Sequence, residues 1–109
     1  MKEKILNEIT ENAIKLMKCV TIKENYPEFE KAFKIIRSEV DDYYITEKKV
    51  FGYDNLIISN TRSHNLDIIF CGHIDVVVND EYGGVVRNGK LYGRGAFDMK
   101  GQLSVIIYL

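Results

Sequence analysis

Two residues whose types could do chemistry stand at the end of an apolar run: His73, and Asp75 two positions on. In extended backbone they project from the same side, so an imidazole and a carboxylate share one surface. Neutral imidazole is a common zinc ligand, and a carboxylate beside it can hold the ring's orientation and raise its basicity. Taken alone, the pair reads more often as a hydrogen-bonded structural contact. A second carboxylate, Asp98, follows 25 positions after His73 in the stretch GRGAFDMKG. Gly93 and Gly95 permit a tight bend there, which delivers Asp98 just ahead of the last segment of the chain. Asp98 can bind a cation, cap a helix, or do both. A phosphate-binding GxGxxG reading of the same glycines fails at its sixth position, where Asp98 would repel phosphate. His64 lies in a polar loop and reads as a solvated side chain.

The elements that must position these groups are patterned in the sequence. Ile5, Ile9, Ala13, Leu16, Met17 and Val20 recur at steps of three and four and predict an amphipathic helix over residues 2–20. Pro27 suits a first helical turn, and Phe29, Phe33, Ile36 and Val40 predict a second helix. Residues 43–46, 50–53 and 56–59 are rich in tyrosine and β-branched side chains and read as short strands. The run LDIIFCGHIDVVV, residues 66–78, is apolar nearly throughout and predicts a strand buried on both faces at the centre of a sheet. Asn88-Gly89, between residues 85–87 and 90–92, is the dipeptide best suited to a type I′ hairpin turn. Residues 98–109 carry both strand-favouring and helix-starting signals, and local propensity leaves them open.

Composition narrows the setting more than the function. The 109 residues permit one packed domain, and no repeat or linker composition marks a second. Fifteen basic and sixteen acidic residues nearly cancel and form no block, which argues against nucleic acid and anionic membrane as partners. Cys19 and Cys71 each lie in an apolar stretch and read as reduced, buried thiols. The charged N-terminus lacks a secretory h-region and no apolar run is long enough to span a bilayer, so the expected location is cytoplasmic.

CGHIDVV followed by NGKLYGRGAFDMKG resembles the paired signature of the metallopeptidase family that holds aminoacylases, acetylornithine deacetylase, succinyl-diaminopimelate desuccinylase, carboxypeptidases and dipeptidases. The resemblance rests on roughly the last third of the chain and implies an α/β fold: two helices, then a mixed sheet with a β-hairpin, then a final helix after Asp98. It implies a site for two zinc ions, with Co2+ or Mn2+ as substitutes, in which His73 binds one ion, Asp98 bridges both and Asp75 supports His73 from behind as part of the catalytic apparatus. The implied activity is hydrolysis of an amide bond in an N-acyl amino acid or small peptide, with a homodimer allowed for the intact protein. The alternative is a non-catalytic remnant or interaction module derived from that family. Two departures stand out: Val78 occupies a position where the family often has proline, and the short stretch NDEYGG replaces a longer loop. The family's glutamate base and remaining ligands fall after the Asp98 motif and have no counterpart before Leu109. Residues 1–109 therefore read as an incomplete N-terminal portion of a metallohydrolase catalytic domain, inactive by itself.

Overall fold

Apolar side chains three and four residues apart build the first helix, α1 (Lys2–Met17), which buries Ala13, Leu16 and Met17 and half-buries Ile5 and Ile9. Glu3 in its first turn and Lys15 in its last complement the helix dipole. The second helix, α2 (Tyr26–Glu39), carries Pro27 in its first turn, where its fixed φ and missing N–H cost nothing. It buries Ala32 and Ile36. Together with Leu16, Cys19 and Val40 these form the core, against which Ile45, Leu56, Ile74 and Ile107 pack. The computed structural model describes residues 1–78 and 81–109; Asn79 and Asp80, part of the short NDEYGG stretch, lie outside the described residues.

Two antiparallel hairpins follow the helices. The first pairs β1 (Tyr44–Val50) with β2 (Tyr53–Ser59), and the second pairs β3 (Val85–Arg87) with β4 (Lys90–Tyr92). The second turn is the one expected: Asn88 and Gly89 have φ 53° and 73°, both in the left-handed region that a type I′ turn demands. The first differs from the sequence reading, because residues 50–53 are not a strand. Val50 pairs with Tyr53, and Phe51 and Gly52 form the turn with φ 51° and 83°. The charged stretch Glu47, Lys48, Lys49 belongs to β1 itself, since an exposed two-stranded sheet tolerates polar side chains on both faces and Lys49 pairs across to Asp54 at 3.3 Å.

The α/β class and the order of two helices, strands with a hairpin, and a final helix hold, with the described strands divided between two separate two-stranded sheets. The apolar run 66–78 is a correction. It forms no strand, and Ile68, Ile69, Phe70, Val77 and Val78 are exposed, while Val76 is buried. A strand covered on both faces needs a ladder beside it, and the described strands satisfy each other within their own hairpins. The run is instead clasped at Thr21, whose carbonyl accepts the Val76 N–H at 2.9 Å. Cys71 is exposed for the same reason, against the expectation of a buried thiol; Cys19 is buried, and both are free. The last segment resolves as a helix, α3 (Lys100–Tyr108), packed against α1. No helix of the described residues is long and apolar enough to cross a membrane.

Candidate metal centre

The backbone from Gly83 to Lys100 is folded back onto the end of α1, and that fold brings Asp98 to His73. Gly83 donates its N–H to the Met17 carbonyl at 3.1 Å, and Gly93 passes directly over Gly83. A Cβ at Gly93 would collide with the Gly83 carbonyl, and φ is 134°, so only glycine fits. The bend continues through Ala96 N–H to Gly93 O at 3.1 Å and Lys100 N–H to Gly95 O at 2.8 Å. Asp98 is left at its outer edge, with a cis peptide bond to Met99.

His73 sits between two acidic groups. Its Nε2 lies 2.9 Å from Asp98 Oδ1, and its Nδ1 lies 3.0 Å from the Asp75 carbonyl and 3.2 Å from Asp75 Oδ1. The three residues named from the sequence are thus in one cluster. Asp98 does not cap α3: the cap position is Met99, without a side-chain cap bond, and the Asp98 carboxylate is turned to the imidazole instead.

Both ring nitrogens of His73 face acceptors, an arrangement that favours the doubly protonated ring. Partial burial pulls the imidazole pKa down, but the bonds to the Asp75 carbonyl and the Asp98 carboxylate, with the charges of both aspartates, outweigh it and hold the pKa above its usual value. A divalent cation suits the place of the Nε2 proton, since it satisfies both nitrogen and carboxylate at once. Zinc bonds of about 2.0 to 2.1 Å at a tetrahedral angle put two donors about 3.3 Å apart, only a few tenths of an ångström beyond the separation of Nε2 and Oδ1 here. The Nδ1–H directed at Asp75 then fixes the tautomer that leaves Nε2 free to ligate. The donor set fits zinc, but supplies one nitrogen and one carboxylate; among the described residues no group of three or more His, Cys, Asp or Glu is placed to hold one metal ion. His64 takes no part in the cluster.

Two buried polar residues that the sequence did not single out border this cluster. Thr21 donates Oγ1–H to the Ile74 carbonyl at 2.5 Å, and Lys100 donates from Nζ to the Cys19 carbonyl at 2.8 Å. A threonine just past a helix and a lysine opening an apolar helix carry no signal of burial in their types alone.

Residues 69–109 match the family profile of Peptidase family M20/M25/M40. Among curated proteins, the chain is 31% identical over 94 residues to a succinyl-diaminopimelate desuccinylase of Sulfurimonas denitrificans, an alignment covering 81% of this chain and 26% of that protein. It is 29% identical over 98 residues to the protein of that name in a Sulfurovum species, covering 84% of this chain and 27% of the relative. Against the one in Nitrosococcus oceani it reaches 47% over 70 residues, 56% of this chain and 18% of the relative. The chain therefore spans about a quarter of the length of the first two relatives. No solved structure matches it.

Proposed function

Residues 69–109 make this chain part of a member of Peptidase family M20/M25/M40, and from that premise we propose that the complete protein is a zinc-dependent hydrolase of the amide bond in an N-acyl amino acid or small peptide. The names of the relatives make an N-succinyl amino acid the first substrate to test. The observation that carries the reading is the approach of His73 Nε2 to Asp98 Oδ1 at 2.9 Å, across 25 residues and between two motif segments.

Bound zinc would supply Lewis-acid polarisation of the amide carbonyl and acidification of water. The chain's own residues would hold and orient the donors. His73 offers Nε2 as a neutral donor because Asp75 accepts the proton on Nδ1. Asp98 contributes a carboxylate able to serve two cations, held at a bend rather than on a flexible tip. Asp75 orients and does not ligate, since its contacts are with the far nitrogen of the ring. A general base and further ligands are to be sought in the rest of the protein.

The test is to express the complete protein, measure zinc content, and assay N-succinyl and N-acetyl amino acids with and without chelator. Turnover lost to chelator and restored by zinc supports the reading. A complete protein that holds metal in neither the wild type nor the added-zinc sample, and hydrolyses no member of the panel, returns the chain to a non-catalytic, interaction-module role.

A further inference from the structure

We propose that residues 19–21, just past the end of α1, anchor both halves of the candidate site, and that Thr21 and Lys100 are positioning residues that set His73 against Asp98. The inference rests on reading His73 and Asp98 as metal ligands. Thr21 and Lys100 are both fully buried, at 0% exposure. Thr21 grips the backbone on either side of Asp75: its Oγ1 donates to the Ile74 carbonyl at 2.5 Å, and its carbonyl accepts from Val76 N–H at 2.9 Å. Lys100, two residues after Asp98, donates from Nζ to the Cys19 carbonyl at 2.8 Å. The Thr21 N–H closes on that same Cys19 carbonyl at 2.9 Å. A hydrogen-bonded path thus runs from the Asp75 segment through Thr21 and Cys19 to the residue beside the Asp98 turn.

The anchor is itself fixed. Cys19 N–H bonds to Leu16 O at 3.1 Å, and Leu16 and Cys19 belong to the core. On the other side, the Lys100 stem runs beneath the bend: a Cβ at Gly95, where φ is 92°, would meet Lys100 Cδ at 3.0 Å and Val76 Cγ1 at 3.2 Å. Glycine there lets the bend lie flat on the lysine.

Such a device answers a need visible in the fold. Among the described residues no strand ladder holds the His73 segment, yet a ligand pair must be kept within about 0.5 Å of working geometry by the groups around it. Burying an ammonium is costly, and a methionine of similar length would fill the same space without that cost. What the lysine adds is a directed bond to Cys19.

In the complete protein, zinc affinity is measured by chelator competition for wild type, His73→Ala, Thr21→Val, Thr21→Ser and Lys100→Met, with unfolding midpoints of the metal-free forms. Thr21→Val and Lys100→Met are expected to bind zinc about 10- to 100-fold more weakly, as losses behind a ligand typically do, and Thr21→Ser, which keeps the hydroxyl, to stay near wild type. If His73→Ala loses zinc while Thr21→Val and Lys100→Met keep wild-type affinity, whatever their unfolding midpoints, the anchor is overturned and the metal reading stands. If wild type binds no better than His73→Ala, the metal reading fails, and amide exchange at Val76 in the metal-free protein decides the anchor. Faster exchange in both Thr21→Val and Lys100→Met supports it; faster exchange in Thr21→Val alone, or in neither, overturns it.

Discussion

The imidazole of His73 is bracketed by two carboxylates of unequal standing: Asp98 meets Nε2 at 2.9 Å, while Asp75 meets Nδ1 through its carbonyl at 3.0 Å and its carboxylate at 3.2 Å. Only Asp98 stands where a cation would replace a proton. In the complete protein, Asp98→Asn is therefore expected to lose metal and turnover below detection, whereas Asp75→Asn falls about 10- to 100-fold in affinity or activity. Metal content per subunit and kcat/KM check this; near wild-type values for Asp98→Asn would remove the ligand assignment.

On the proposed ligation, metal would compete with the proton for His73 Nε2, which gives binding a definite pH dependence. His73 has its pKa raised above 6.5, so below that raised value the ring is an imidazolium and metal must displace a proton. Zinc affinity should rise with pH through the raised pKa and then level. Calorimetry in buffers of different ionisation heat should show proton release on the acid side, absent from His73→Ala.

Lys100 gives a second pH signature, through a pKa displaced in the opposite direction. Burial pushes its ammonium down from 10.5 to about 8. Between those values the unfolded chain binds more protons than the folded one, so stability rises with pH across that window and the charged lysine opposes folding below it. The shift corresponds to about 3 kcal/mol. In urea unfolding of the metal-free complete protein from pH 7.5 to 9.5, wild type should gain stability relative to Lys100→Met. A constant difference would show that the ammonium is not desolvated.

The 109-residue chain alone is expected to bind zinc weakly and show no amidase activity. Zinc sites usually need three or four protein ligands, and the loss of a general acid or base typically costs roughly 10² to 10⁴ in rate. The exposed Ile68, Ile69, Phe70, Val77 and Val78 should also make it aggregate. Submicromolar binding of two zinc ions, or hydrolysis above a zinc-only control, would contradict this.

What could be read from sequence divides along a physical line. Asn88-Gly89 announced its turn because the two residue types themselves supply positive φ, and α1 and α2 announced their faces through spacing. The chemistry open to His73, Asp75 and Asp98 was legible from residue type, and their grouping only through the resemblance carried by the two motif segments. The run 66–78 departs from the strand expected of it because apolar composition signals burial without saying what is available to pair with it. The Thr21 to Ile74 bond spans 53 residues and leaves no local pattern at all.

The two hairpins also invite engineering, for they close through the same turn built from different residues. The second uses Asn88 at the first left-handed position; the first uses Phe51, at φ 51° and 96% exposed. An exposed aromatic there has the steric penalty of the left-handed region, roughly 1 to 2 kcal/mol, with no packing to offset it. Transplanting the Asn-Gly pair by Phe51→Asn should raise stability by about 1 kcal/mol, read as a higher unfolding midpoint, with zinc affinity unchanged. The gain would come with one fewer exposed aromatic for neighbouring chains to seize during expression, which makes this turn a practical starting point for improving the yield of soluble material.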